Sequence, residues 1–177
     1  SLVEELRTLL NEAVQRRMRG SGIPGFFLSG GIDSSAMVAL AGRLVDPSKI
    51  KTFSIGFHEK SFDESFFAHT IAKKFGTDHH LEVLDHRRTL DIMPEVFRFL
   101  DEPFADASIV PTSLVCRLAR KEVRVVIGGD GADEFFRGYP TFLAHQLASW
   151  VGWMPKRAFD LLRTGASLLP VSMANLS

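Results

Sequence analysis

Short apolar runs alternate with longer helical stretches along most of this chain. Runs typical of buried strands lie at residues 23–28, 51–57, 80–84 and 123–127. The stretches between them are about ten residues or longer, so neighbouring strands cannot be joined as hairpins. The pattern predicts an α/β fold, a doubly wound parallel sheet of about four to five strands with helices on both faces.

Apolar side chains recur at helical spacing in the stretches between the strands. Helices are predicted at residues 1–20, 34–44, 63–75, 88–100 and 111–121. Gly76 is expected to end the third of these helices. From Tyr139 onward the pattern is helical and aromatic, without strands, which predicts a helical C-terminal tail.

Composition excludes several functional classes. The 177-residue chain carries 21 Lys and Arg against 21 Asp and Glu, so no basic field is available to hold a nucleic acid. No apolar stretch approaches the roughly 20 residues that span a bilayer, so no membrane partner is expected. Cys116 is the only cysteine and is expected to be a buried helix residue. Its isolation excludes an internal disulfide framework and fits a reducing, cytoplasmic location.

The N-terminus begins inside a predicted helix, with neither an initiator Met nor a secretory pattern. The chain is therefore expected to be a single domain cut from a longer protein.

The most informative motif is Ser-Gly-Gly-Ile-Asp-Ser-Ser at residues 29–35, between the first predicted strand and the next helix. In an open parallel sheet, ligands bind beyond the carboxyl ends of the strands, where a helix N-terminus offers unpaired N–H groups to an anion. Adjacent glycines let the backbone approach a phosphate closely. No lysine follows the glycines, so this is not the phosphate loop of kinases and GTPases. The alternative is that Gly30 and Gly31 only make a tight turn, with Asp33 or Ser34 capping the helix.

A second glycine-rich turn, Gly-Gly-Asp-Gly-Ala-Asp-Glu at residues 128–134, follows the fourth predicted strand. Because the carboxyl ends of parallel strands share one edge, both turns are expected to face the same crevice. Asp130 and Asp133 are three residues apart at a predicted helix start, where they could bind Mg²⁺ together with Asp33. The alternative is a solvated acidic turn that the helix dipole favours.

Taken together, the motifs resemble the ATP pyrophosphatase superfamily, and residues 29–35 are similar to its pyrophosphate loop. The whole set is similar to the synthetase domain of glutamine-hydrolysing asparagine synthetase, from about Leu2 to Tyr139. The other segments that carry the resemblance are Thr52–Phe57, Ser61–Glu64, Asp101–Asp106 and Gly129–Glu134. The resemblance implies an adenine-nucleotide hydrolase-like fold. It also implies that residues 1–177 form one synthetase domain, without the family's N-terminal glutaminase domain and without the C-terminal end of the synthetase domain.

The resemblance implies an AMP-forming carbon–nitrogen ligase that uses ATP and Mg²⁺. The side-chain carboxylate of aspartate would attack the α-phosphorus of ATP, giving β-aspartyl-AMP and pyrophosphate, and ammonia would then displace AMP. Ammonia would come from glutamine hydrolysis in the glutaminase domain of the parent chain. The chain alone could bind ATP yet turn over poorly, and a homodimer is compatible with the sequence.

The resemblance also implies roles for individual residues. Asp33, Asp130 and Asp133 would be catalytic, with Asp33 and Asp133 on the metal and Asp130 close to the ribose or the acyl-adenylate. The residues implied to bind the nucleotide are Leu28, Ser29, Gly30, Gly31, Asp33, Ser34, Ser35, Ile55, Gly128, Gly129 and Asp130.

Two other functions stay open. A related ligase on the same scaffold, such as a β-lactam synthetase or a peptide-cyclising enzyme, would adenylate a different carboxylate. A non-catalytic domain would bind nucleotide and serve as a regulatory or assembly module. Asp106 and Ser108 could frame an amino-acid pocket, or they could only satisfy the backbone of their own loop.

Overall fold

A computed structural model describes residues 1–20, 22–61 and 63–151 of the chain. Four parallel strands form one sheet, and their bounds are β1 Gly25–Phe27, β2 Lys51–Phe57, β3 Asp78–Leu84 and β4 Val126–Ile127. Their order across the sheet is β3-β2-β1-β4. Strands β2 and β3 are added on one side of β1, and β4 is added on the other side of β1. The point at which the strand order reverses, the topological switch point, therefore lies between β1 and β4. The predicted doubly wound sheet is confirmed.

One helix precedes the first strand, and others fill the connections between the strands or follow the last strand. Their bounds are α1 Leu2–Arg17, α2 Ile32–Ala41, α3 Ser65–Phe75, α4 His86–Phe97, α5 Ile109–Arg120, α6 Ala132–Phe136 and α7 Pro140–Val151. Gly76 ends α3 with a left-handed φ of 71°, as predicted. The predicted helical tail is confirmed as far as Val151, and its remainder, residues 152–177, lies outside the described part of the chain.

Strands β1 and β4 begin later along the chain than predicted, at Gly25 and Val126. Pro24 has no N–H to donate, so the ladder of β1 begins at Gly25, whose N–H donates to the Val125 carbonyl at 2.9 Å. Val125 directly precedes β4, which is an edge strand of only 2 residues. The central strand that carries the first glycine-rich motif is therefore short.

Two apolar clusters cover the two faces of the sheet. The first joins Phe26 and Leu28 to Val14 of α1, Val38 of α2 and Ala68 of α3. The second joins β3 to α4 and α5, and its buried members are Leu84, Ile92, Val96 and Leu114. Helices on both faces are the arrangement that buries both sides of a parallel sheet.

Two compact units divide the chain, Ser1–Asp130 and Gly131–Ser177. The sheet and helices α1 to α5 belong to the first unit, whereas α6 and α7 belong to the second. Within the described ranges, none of the helices is both long enough and apolar enough to cross a membrane.

Candidate functional site

A cleft of about 450 Å³ lies at the carboxyl ends of β1 and β2. Its walls include the first turns of α3 and α5. Its lining includes Leu28, Ser29, Ile55, Glu64, Ser65 and Thr112. The cleft thus brings together three of the residues predicted to bind nucleotide, Leu28, Ser29 and Ile55.

Leu28 is fixed by both of its backbone groups where β1 opens into the cleft. Its N–H donates to the Phe53 carbonyl at 3.0 Å, and its carbonyl accepts a hydrogen bond from the buried Ser54 hydroxyl. The Ser54 side chain was not predicted to belong to the site. Thr52 is a second buried hydroxyl in the same strand, so no sequence signal singles out Ser54 as the residue that contacts Leu28.

Hydrogen bonds within the motif hold the loop after Leu28 in shape. The buried Ser34 hydroxyl accepts from the Ser29 N–H at 3.3 Å and donates to the Gly31 carbonyl at 3.2 Å. The hydroxyls of Ser29 and Ser34 are 3.1 Å apart, and Ser29 Oγ accepts from the Gly31 N–H at 3.2 Å. Both serines therefore stabilise the conformation of the loop through hydrogen bonds within the motif itself.

Gly30 lies against the backbone of α3. Its φ is 87°, a left-handed value that favours glycine. A Cβ at this position would lie 2.5 Å from Phe67 Cβ and 2.6 Å from the Ala68 nitrogen. The loop can rest on α3 only because residue 30 has no side chain.

Gly129, in the second glycine-rich turn, lies against the start of α2. A Cβ on Gly129 would be 3.1 Å from the Ser34 nitrogen and 3.3 Å from Asp33 Cβ. The two glycine-rich turns therefore meet at the first turn of α2, beside the switch point of the sheet. Their convergence was predicted from the strand ends and is confirmed.

The first turn of α2 offers unpaired donors at this meeting point. Gly31 is the N-cap and accepts the first helical hydrogen bond from the Ser35 N–H at 3.1 Å, so the amides of Ile32, Asp33 and Ser34 have no acceptor inside the helix. No side chain caps this helix, so the alternative that Asp33 or Ser34 caps it is wrong.

The Ser35 hydroxyl adds a further donor to this turn. It is buried and has no hydrogen-bond partner in the described part of the chain. The free amides and the buried hydroxyl are donors that suit a bound phosphate group, and the glycines beside them have no side chain to keep it away from the backbone.

The three predicted catalytic carboxylates occupy different settings. Asp33 lies half-buried in the first turn of α2. Asp130 is exposed, and its Oδ2 covers Gly128, where a Cβ would be 2.5 Å away. Because α6 begins at Ala132, Asp130 precedes the helix rather than opening it, which corrects the expected placement of both acids at a helix start. Asp133 does lie in the first turn of α6.

Asp133 belongs to the second unit, where its carboxylate lies against Gly138. Asp33 belongs to the first unit, so joint binding of Mg²⁺ by these two acids stays a prediction. Among residues 1–20, 22–61 and 63–151, no group of three or more His, Cys, Asp or Glu side chains is arranged to hold a metal. One or two carboxylates with phosphate oxygens and water are the usual Mg²⁺ ligands, and Asp33 beside the free amides of α2 fits that pattern.

Asp63 connects β2 to α3 at the wall of the cleft. Its Oδ1 accepts from the N–H groups of Phe57 at 3.2 Å and Ser65 at 3.1 Å, and its Oδ2 accepts from the Ser65 hydroxyl at 2.9 Å. The Ser65 hydroxyl and these two backbone donors hold the pKa of the Asp63 carboxyl below its usual 3.8. The sequence placed Asp63 in a family motif but gave it no role.

The loop before α5 satisfies its own backbone. The Ser108 N–H donates to Asp106 Oδ1 at 2.8 Å, and this bond lowers the pKa of the Asp106 carboxyl. Both residues are exposed, and Ser108 also lines the cleft. The pair therefore satisfies the backbone of its own loop, and a place for it in an amino-acid pocket stays a prediction.

Cys116 corrects another expectation. The predicted buried thiol is exposed on α5, although partial desolvation raises its pKa above the usual 9.0. A raised pKa leaves little thiolate at neutral pH, which argues against a nucleophile. The apolar residues beside it in sequence, such as Leu114, occupy the buried face of the helix instead.

Comparison with known proteins gives consistent matches. The family model described as asparagine synthase matches residues 5–175. A putative glutamine-hydrolysing asparagine synthetase 2 from Methanocaldococcus jannaschii is 41% identical over 170 residues, covering 96% of this chain and 32% of that protein. Glutamine-hydrolysing asparagine synthetase 1 from Bacillus subtilis is 38% identical over 138 residues, covering 78% of this chain and 22% of that protein. The chain thus spans a third or less of the length of these relatives.

A solved structure shares the fold. The glutamine-dependent NAD+ synthetase from Acinetobacter baumannii, in complex with ADP, is similar with a TM-score of 0.50 and 21% identity. The match covers 73% of this chain and 25% of that chain.

Proposed function

Since the chain belongs to the asparagine synthase family, we propose that it forms the synthetase part of an enzyme that amidates aspartate at the expense of ATP. The observation that carries the proposal is the meeting of the two glycine-rich turns at the first turn of α2, beside the cleft. Ligands of open parallel sheets bind at this switch point, and helix N-termini there bind phosphate. The similar fold of an NAD+ synthetase that was solved in complex with ADP agrees with an adenine nucleotide as the class of ligand.

The proposed nucleotide site divides between base and phosphates. The cleft beside Leu28 and Ile55 would take the nucleoside, largely through backbone groups, with Gly128 and Gly129 at its border. The pyrophosphate would lie on the loop, against the free amides of α2 and the Ser35 hydroxyl. The loop residues that would surround it are Ser29, Gly30, Gly31, Asp33, Ser34 and Ser35.

The proposed reaction has two steps. A β-carboxylate oxygen of aspartate attacks the α-phosphorus, and the bond to the bridging oxygen breaks with its electron pair leaving on pyrophosphate. Ammonia then attacks the acyl carbon, loses a proton, and the bond to AMP breaks. Adenylation is needed because a carboxylate oxygen is a poor leaving group, and donors aimed at the departing pyrophosphate lower the barrier.

Three carboxylates would serve these steps. Asp33 and Asp133 would hold Mg²⁺, which neutralises charge on the phosphates when bound. Asp130 would lie near the ribose or the acyl-adenylate. Ammonia would come from a glutaminase domain of the parent protein, and a homodimer and a cytoplasmic location complete the proposal.

Calorimetric titration with ATP and Mg²⁺ tests the site. We expect binding that depends on Mg²⁺ and weakens in Asp33→Ala, with AMP alone as the control that lacks the pyrophosphate. A well-folded chain that binds neither ligand would contradict the nucleotide site.

The substrate is tested separately in the longest natural protein that contains this chain. AMP and pyrophosphate should appear only when aspartate and ammonia are both supplied. Release with a different carboxylic acid, and none with aspartate, would identify a related ligase. Nucleotide binding without any release would identify a non-catalytic module.

A further inference from the structure

The carboxyl end of β2 and the start of α3 are joined through one side chain. Asp63 accepts hydrogen bonds from Phe57 at the end of β2 and from Ser65 at the start of α3. Gly56 makes room for this arrangement, because a Cβ there would be 3.2 Å from Asp63 Oδ1 and 3.3 Å from Ser65 Cβ. Within the described ranges, no other side chain hydrogen-bonds to both elements at this junction.

The same first turn of α3 supports the glycine-rich loop. Gly30 lies directly against the backbone of Phe67 and Ala68, closer than any side chain would permit. A displacement of the first turn of α3 would therefore be passed to Gly30 by direct contact, since packed interiors do not absorb such shifts. The path from Asp63 to the loop contains only contacts within the first unit.

We propose that Asp63 is a positioning residue for the phosphate-binding loop at residues 29–35, and that it acts through α3. The inference rests on the proposed function, because it assigns this loop to the pyrophosphate of ATP. Asp63 does not itself line the cleft, whereas its neighbours Glu64 and Ser65 do. Its effect on binding comes from where it holds the helix that supports Gly30.

A matched control exists in the same chain. Asp46 forms the same Asp-x-Ser turn, with its Oδ1 accepting from the Ser48 N–H at 3.1 Å and from the Ser48 hydroxyl at 2.9 Å. This turn precedes Lys51, at the amino end of β2, whereas the cleft lies at the carboxyl end. Asp46→Ala therefore removes the same kind of turn without touching α3.

The experiment compares Asp63→Ala, Asp63→Asn and Asp46→Ala in two measurements. The first is calorimetric titration with MgATP and with AMP. In Asp63→Ala we expect the Kd for MgATP to rise about tenfold and the Kd for AMP by less than about threefold, since lost hydrogen bonds to a charged group are of that order. Asp63→Asn keeps an Oδ1 that accepts both backbone bonds, so it should stay within about threefold of the wild type. Asp46→Ala should bind both ligands like the wild type.

The second measurement is amide hydrogen exchange across residues 29–35 without ligand. Exchange should be faster in Asp63→Ala and unchanged in Asp46→Ala. Equal weakening of MgATP and AMP, failure of Asp63→Asn to restore binding, or loop exchange unchanged by Asp63→Ala would each overturn the positioning role. If the wild type binds no MgATP, the proposed function fails, and the exchange result alone then supports or overturns the link between Asp63 and the loop.

Discussion

Gly129 lies so close to Ser34 that a Cβ built on the glycine would be 3.1 Å from the Ser34 nitrogen. Gly129 follows the edge strand β4, whereas Ser34 is in the first turn of α2, after the central strand β1. The contact therefore joins two turns that are distant in sequence. It also leaves the first turn of α2 open to a ligand, because residue 129 carries no side chain.

The first prediction concerns this contact. Gly129→Ala should weaken MgATP binding by roughly tenfold, because overpacking costs about 1–3 kcal/mol and the new methyl group must push against α2. Calorimetry gives the Kd directly. Gly20→Ala is the control, since a Cβ there meets nothing within 4 Å. An unchanged Kd in Gly129→Ala would show that the turn moves aside at little cost.

Adjacent glycines in the first motif should differ sharply. Gly30→Ala combines a φ of 87° with a Cβ 2.6 Å from the Ala68 nitrogen, and should lower the free energy of unfolding by about 2–4 kcal/mol. Gly31→Ala meets only Ser29 Oγ at 3.3 Å, at an ordinary φ of −65°. Its cost should be below about 1 kcal/mol. Urea unfolding followed by circular dichroism measures both, and equal losses would refute the argument.

Helix capping gives a third prediction. Asp85 caps α4, where its Oδ1 accepts from the Arg88 N–H at 2.6 Å. Asp85→Ala should lower the free energy of unfolding by about 1 kcal/mol. Ser108 is the N-cap of α5 but makes no side-chain capping bond, so Ser108→Ala should cost less. The order of the two urea midpoints checks the prediction, and a larger loss in Ser108→Ala would contradict it.

His79 predicts a pH dependence. Burial lowers its pKa below the usual 6.5, positive charge on His69 and His80 lowers it further, and Asp78 opposes them. Its Nδ1 is 2.9 Å from the Thr52 hydroxyl, and its buried Nε2 has no hydrogen-bond partner in the described part of the chain. The folded chain therefore disfavours the protonated ring.

The sign of the effect follows from linkage. Below pH 6.5 the unfolded chain binds a proton that the folded chain resists, so stability present above that pH is lost as the pH falls toward the folded pKa. His79→Gln should reduce this loss between about pH 7 and about pH 5, whereas the exposed His58→Gln should not. Urea unfolding at several pH values decides, and identical pH profiles for His79→Gln and the wild type would rule His79 out as the source.

The fold could be predicted from the sequence because its signals are local. The run Lys51–Phe57 is apolar enough to be recognised as a strand by itself, and its bounds agree with the structure. Gly76 at the end of α3 was recognisable for the same reason. The ends of β1 and β4 were not predicted well, because they depend on Pro24 and on which neighbouring strand is present to complete the ladder.

The candidate site was predictable only in part. Two glycine-rich turns after two strands must meet when those strands are neighbours in a parallel sheet, and Gly129 does contact α2. The contributions of Ser54 and Asp63 depend on distances between elements, so a single sequence gives no access to them. Cys116 shows the same limit, since helical spacing did not reveal which side of α5 faces the core.

The pairing of β1 with β4 sets an order on how the chain can fold. Strands β1, β2 and β3 succeed one another along the sequence, but β4 returns to β1 from on the order of a hundred residues away, and closing so long a loop is entropically costly. Docking of β4 is therefore expected late, and with it the arrival of Gly129 at α2. A chain in which β4 has not yet docked would have β1, β2 and β3 paired and yet lack the Gly129 half of the candidate site. Nucleotide would therefore bind to, and stabilise, the chain in which β4 has docked.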